Sequence, residues 1–419
     1  ASAAVAEAVS RAVFGLALSY GIVFWAKYRF DAGLDLFGKN YATYDEAYSA
    51  VLPFAAAGAV LAVSISELCG LLSLLFSDRK TRRQEFHDNT PTDRNRDICF
   101  RLIKEIIPVA ASALIMNCVG FVDLLTVTRT LKSSAEVNSA YFIREFNAAV
   151  NSCGGIDGLA NFMYGSYSGI AMTMFMLIPA FAGMTEKTAI PEITAAWERK
   201  DLKSAANGCC MLFRAASMIG FPACLGAAVL GEPLLKLLYS SRSAEISVCT
   251  DGFVILCLGG IFMITGSAMF GVFQAIGKAY VPLILMSCAV ALKAVLNPLL
   301  MSIPCVNITG AAISTAAGYS VMAAVGSFIL KRELSREISV VHCVMKPFLC
   351  SILCAAGAFL VYQTVGIGLP KPFNVILPVF VGALIYGISL ISTGEFRQKR
   401  RLIKNKEKIL QKPLKIARK

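Results

Sequence analysis

The chain is 419 residues long, 56% hydrophobic and only 16% charged, with a mean hydropathy of +0.64. Soluble domains carry roughly 25% charged residues, so this composition excludes a soluble globular domain and predicts a polytopic protein whose solvent is the bilayer. The formal charge of +13 would suit nucleic acid, but the basic residues collect in short segments between apolar runs, and no nucleic-acid partner is expected.

A crossing helix needs about 20 mostly apolar residues, because the hydrocarbon layer is about 30 Å thick and a helix rises 1.5 Å per residue. Ten stretches qualify: 7–27, 50–76, 105–128, 165–184, 206–230, 253–277, 280–304, 309–330, 345–364 and 373–393. No sustained period-2 alternation supports a barrel. The expected fold class is an all-α polytopic membrane protein of about ten transmembrane helices.

The opening ASAAVAEAVSRAVFGLALSYG has no Met, no basic n-region and no small-residue cleavage site. It is unlike a signal peptide and reads as the middle of a longer chain. Glu7 and Arg11 stand four apart in the favourable order for a helical ion pair. In the third stretch Asp123 lies about five residues inside the end of the span, with Arg129 just beyond, and serves either as the partner of a cation or as a gate or ion site. Glu67, Asn117 and Gln274 are weaker candidates, read first as interhelical hydrogen bonds.

The segment TAIPEITAAWERKDLKSAANG (188–208) sets Ile190, Ile193, Trp197 and Leu202 against Glu192, Glu198, Arg199 and Lys200. With Pro191 suited to a first turn, it predicts a separate amphipathic helix along the cytoplasmic surface. Arg214 sits about nine residues inside the next span, placed either to snorkel or to meet a ligand.

ILMSCAVALKAVLNPLLM (284–301) holds Lys293 near the centre of a greasy run, where a charge costs about 2.5–3.5 kcal/mol on insertion scales. Asn297 follows one turn later on the same face, and Pro298 predicts a kink with free carbonyls. Two readings stand side by side: a cationic cavity wall for an anionic substrate, or a pair with an internal acid that locks helix packing. An amine capped by a carboxylate and walled off from any opening would favour a scaffold over a carrier. AAISTAAGYS (311–320) sets small residues at helical spacing and is read as close helix packing.

Orientation follows from the Lys and Arg distribution. Most of the 40 basic residues fall in the segments around 78–104, 187–203 and 331–346 and in the tail after 393, which places both termini in the cytoplasm. The tail RQKRRLIKNKEKILQKPLKIARK predicts attraction to an anionic leaflet. The cysteines, among them Cys209, Cys210, Cys224, Cys257, Cys288, Cys350 and Cys354, have no ligand or redox spacing and are read as small hydrophobes. QAIGKAY lacks both the earlier glycine and the Ser or Thr of a phosphate loop, having Val272 and Ala279 there. His87 and His342 are too far apart in sequence to suggest a zinc site or triad. Neither metal nor cofactor is expected, and a carrier is favoured over an enzyme.

Several stretches in order resemble the polysaccharide-transporter and stage V sporulation protein B family, relatives of the MurJ lipid II flippases in a MATE-like superfamily. They are MYGSYSGIAMTMFMLIPAFAGMTEKTAIPEITAAWERKD, FPACLGAAVLGEPLLKLLY and GVFQAIGKAYVPLILMSCAVALKAVLNPLLMSIPCVNITGAAISTAAGY. The resemblance implies two six-helix lobes around a central cavity with two further helices. On that basis 1–77 holds the last two helices of the first lobe and 78–104 a basic loop. A complete second lobe would span 105–330, two appended helices 331–393 and the basic tail 394–419. The family's first four helices would then be missing. The implied activity is flipping of a polyprenyl-diphosphate-linked saccharide across the cell membrane. Lys293, Asn297, Arg214 and Arg11 would meet the headgroup, and Asp123, Arg129 and Glu7 would serve gating or ion coupling. Membrane lipids and envelope-synthesis enzymes are the further partners implied. A cation or drug antiporter of the same superfamily, or a non-transporting scaffold for envelope synthesis, are the alternatives.

Overall fold

A computed structural model describes residues 2–39, 41, 43–82, 95–334, 339–370 and 372–393. The expectations for the tail, for His87 and for most of the basic loop lie outside these residues. Among them the regular elements are helices, with a single bridge between Leu36 and Lys39. Among the described residues, nine helical segments are long and apolar enough to cross a membrane, and the stretch expected at 105–128 lies within a further helix, Asn95–Val137. The chain divides into two compact units, residues 1–95 and 96–419.

The first unit is an antiparallel pair, α1 (Ser2–Asp31) and α2 (Tyr44–Arg82). Ala26, Ala47 and Val51 bury against each other, and Leu36 closes the turn between the helices. Gly70 lets α2 approach α1 closely, since a Cβ there would stand 3.3 Å from Glu7 Cβ.

The second unit begins with α3 (Asn95–Val137) and two short helices, α4 (Ser139–Glu145) and α5 (Asn147–Ser152). Next comes a rod of α6 (Ile156–Ser166), a π-helix (Tyr167–Met172) and α7 (Thr173–Glu198). Then follow α8 (Leu202–Val229), α9 (Gly231–Leu238), α10 (Ser243–Ala275), α11 (Tyr280–Met301), α12 (Thr309–Glu333), α13 (Val340–Thr364) and α14 (Phe373–Ser392). Helix α10 is the axis, packed by α7, α8 and α12. Its glycines permit this: a Cβ on Gly259 would lie 2.6 Å from Ala316 Cβ, and one on Gly260 2.6 Å from Cys224 Sγ. Helix α13 packs on α8 and α14 on α13, and the Tyr386 hydroxyl donates to Met218 O at 2.8 Å.

Three expectations are corrected. Residues 188–208 form no separate surface helix: TAIPEITAAW continues α7, because Ile193 is wholly buried beside Ala205 and Cys209 and that burial outweighs the lost hydrogen bond at Pro191. The break falls at Lys200, which takes a left-handed φ of 56°, and at Asp201, which caps α8. Helix α11 carries Pro298 within its last turn and ends at Met301, and an irregular turn lies at the π-helix. The basic loop 78–104 is shorter than expected, since α2 extends to Arg82 and α3 begins at Asn95, as good helix-forming Lys and Arg allow. Finally, Cys210 of α8 and Cys343 of α13 are disulfide-bonded with Cα atoms 5.6 Å apart, a contact between residues 133 apart that sequence spacing does not reveal.

Candidate functional site

Four helical segments carry polar groups to one buried point. Asp123 and Thr126 lie on one face of α3, Lys293 and Asn297 one turn apart on α11, and Ser314 and Thr315 near the start of α12. The rod contributes Tyr164 and Tyr167. The amphipathic spacing is local, and the meeting is tertiary.

Lys293 Nζ donates to Asp123 Oδ2 at 2.5 Å. Asn297 Nδ2 donates to Asp123 Oδ1 and to Thr126 Oγ1, both at 3.0 Å, and its Oδ1 accepts from the Ser314 hydroxyl. Lys293, Asp123 and Asn297 are 3%, 4% and 0% exposed, so this is a desolvated ion pair inside a hydrogen-bonded set. The amide of Asn297 is fully used. The ammonium is not: beyond Asp123 it has no hydrogen-bond acceptor among the described residues.

Beside this pair lies a cavity of about 280 Å³ between α3, the rod, α11 and α12. Asp123, Lys293, Ser314 and Thr315 form its polar end, and Tyr164, Tyr167, Tyr319 and four methionines line much of the rest. Lys293 is therefore capped by a carboxylate, yet it borders an opening. The Tyr167 hydroxyl is buried beside the Thr315 hydroxyl without a hydrogen bond of good geometry to it, and Thr315 gives its own proton to Ala311 O at 2.6 Å. An unmatched buried hydroxyl costs about 1–3 kcal/mol, and π-turns within α-helices recur at functional sites. Tyr167 is the first residue of such a turn, packed where Gly252 of α10 leaves room for its ring.

The structure thus unites Lys293, Asn297 and Asp123. Arg129, the other gating candidate of this helix, is exposed on α3, and the cation that pairs with Asp123 is Lys293. Arg214, on α8, is partly buried and does not line the cavity. Glu7 and Arg11 belong to the first unit, where Arg11 Nη2 donates to Glu7 Oε1 at 2.6 Å and Arg11 Nε to Ser66 Oγ at 3.5 Å. Sequence reasoning missed Tyr164, Tyr167, Tyr319, Ser314 and Thr315. The last two lie in the small-residue segment that suggested packing alone, and MYGSYSGI offered the glycine-rich signal of an irregular turn.

No family model matches the chain. It is 22% identical over 345 residues to stage V sporulation protein B of Bacillus subtilis (strain 168), covering 81% of this chain and 61% of that protein. Among solved structures, lipid II flippase MurJ in an inward closed conformation matches with a TM-score of 0.56 at 14% identity, over 93% of this chain and 67% of the flippase. The fold is MurJ-like. An outward-facing multidrug resistance MATE family transporter also aligns, at a TM-score of 0.37, too low to bear on the fold. The chain spans about three fifths of the length of its sporulation relative. The MurJ-like helical fold and the nine apolar crossing helices among the described residues make this a multi-pass membrane protein.

Proposed function

We propose that the chain is part of a flippase that moves a polyprenyl-diphosphate-linked saccharide across the cytoplasmic membrane by alternating access, with Lys293 and Asn297 as headgroup contacts. The observation that carries this reading is a buried ammonium with unused donors at the edge of a helix-lined cavity within a MurJ-like fold. The cavity is at the small end for ligand sites, which run from about 300 Å³ upward. In this cavity Asp123 holds the place of an anion. Arg214 serves the headgroup's approach, and the basic tail holds the cytoplasmic leaflet.

The full chain reconstituted into liposomes should transfer a fluorescent polyprenyl-diphosphate-linked saccharide between leaflets. Lys293→Ala should slow transfer at least about tenfold, as expected for loss of a charge-assisted contact. Transfer at the wild-type rate in that variant removes Lys293 from the mechanism. The methionine- and tyrosine-lined cavity beside an acid also suits an apolar cation, the cargo of a drug antiporter. Efflux of such cations without saccharide transfer would establish that reading instead, and failure of both assays would favour a scaffold.

A further inference from the structure

Two buried donors at this site are under-used: the ammonium of Lys293, which meets one carboxylate oxygen, and the hydroxyl of Tyr167, which makes no hydrogen bond of good geometry although the Thr315 hydroxyl lies beside it. Buried donors in native proteins are nearly always matched, and here both belong to residues lining one cavity. Asp123 is the single formal anion among the residues lining it. The site is thus built for more anionic oxygen than the described residues supply.

Resting on the reading just given, we infer that Asp123 is an internal stand-in for the anionic headgroup: an entering diphosphate displaces it from Lys293, takes the Tyr167 hydroxyl as a second donor, and leaves Asp123 to bind a proton. Charge requires the last step. Lys293 and Asp123 together are neutral; a diphosphate that takes over Lys293 would leave an ionised Asp123 unpaired beside further negative charge in an apolar chamber, where burial of an unpaired carboxylate is prohibitive. Among the described residues, the groups facing Asp123 offer no other cation. They are Lys293 and Asn297 from α11, Tyr164 and Tyr167 from the rod, Ser314, Thr315 and Tyr319 from α12, and Thr126 from its own helix. The proton comes from bulk water through the buffer and forms one O–H bond at the Asp123 carboxyl, so headgroup and proton enter together.

The test uses the purified full chain in detergent with farnesyl diphosphate as probe, by calorimetry at about pH 8, where aspartate is normally ionised, in buffers of different ionisation enthalpy. Wild type should take up close to one proton per diphosphate bound. Asp123→Asn, which preserves shape, should bind about tenfold tighter and take up none, because the competitor for Lys293 is neutral. Tyr167→Phe should bind about tenfold weaker while keeping the proton, the cost of one charge-assisted donor. Lys293→Met should not bind. Wild-type binding without proton uptake overturns the displacement, as does unchanged affinity and proton count in Asp123→Asn. Wild-type affinity in Tyr167→Phe removes that donor. If Lys293→Met binds like wild type, or the wild type ignores the probe, the headgroup reading itself fails. Loss of binding in Lys293→Met with no effect of Asp123→Asn overturns the displacement alone. The wild-type proton count requires no variant to fold.

Discussion

Each unit holds an ion pair on its long apolar helices, and the two pairs differ in nearly every physical respect. Glu7 and Arg11 are four residues apart on α1, 2.6 Å apart in space, with side chains 39% and 48% exposed. Asp123 and Lys293 are 170 residues apart on different helices, 2.5 Å apart in space, and their side chains are 6% and 4% exposed. The first pair is a property of helical spacing. The second exists only because α3, α11 and α12 converge, and each charge there depends on the other for its solvation. Like chemistry thus serves different ends: the local pair trims one helix surface, whereas the buried pair commits the bundle to an arrangement that a ligand or a proton can disturb.

The sharpest way to break this contrast is to remove one member of the buried pair. Asp123→Ala or Lys293→Ala should each cost about 3–5 kcal/mol, because the remaining charge is stranded in a desolvated site. The combined Asp123→Leu and Lys293→Met variant should recover most of that loss, since two apolar side chains need no solvation there. Thermal unfolding of the detergent-solubilised chain checks both. Single-variant losses below about 1 kcal/mol would mean that water reaches the pair and that its burial does not govern it.

How much of this was legible in the sequence divides along the same line. Spans, helical class and the Glu7–Arg11 pair follow from composition and from a period of 3.6, which act over a turn or a few turns. Lys293 announced itself as an anomalous charge in an apolar run, and pairing with an internal acid was one of its two readings. Which acid was not legible, because Arg129 is near Asp123 in sequence while Lys293 is near it in space. Tyr167 was hidden for a different reason. Its role depends on a π-turn and on a missing acceptor, and neither leaves a residue pattern stronger than a few glycines and serines. The Cys210–Cys343 link has the same origin, a contact between α8 and α13 that spacing rules do not encode. The continuation of α7 through Pro191 shows packing overriding a local signal, since Ile193 finds a buried seat.

An intermediate case lies between the two pairs. Asp201 accepts from the Ser204 N–H at 3.0 Å as the N-cap of α8, and hydrogen bonds from Ser204 hold its carboxyl below the usual carboxylate range. A depressed folded value means that the cap contributes stability above the ordinary aspartate pKa and loses it as pH falls through the folded one. Asp201→Ala should therefore melt below wild type at neutral pH, by less than either buried-pair variant, and the gap should narrow on acidification. A gap independent of pH would assign the effect to something other than the carboxylate.

The smallest effect is expected at Glu7 and Arg11. Glu7 and Arg11 stand in the first two turns of the Ala6–Asp31 span, at its end rather than its centre, so the pair gains little Coulomb energy and gives back side-chain entropy, leaving about 0.3–0.5 kcal/mol for an i,i+4 pair. Arg11→Gln and Glu7→Gln should each lower the melting temperature only slightly, and the double variant should lie close to either single one. Added salt should erase the difference, because exposed charges are screened within about 8–10 Å at ordinary ionic strength. The informative failure is a large, salt-independent loss from either substitution. It would mean that the first unit's pair is desolvated in the assembled protein as Asp123 and Lys293 are. The division between a helix-surface pair and a site pair would then be one of degree, with Arg11 joining Lys293 as a buried cation in need of an anion.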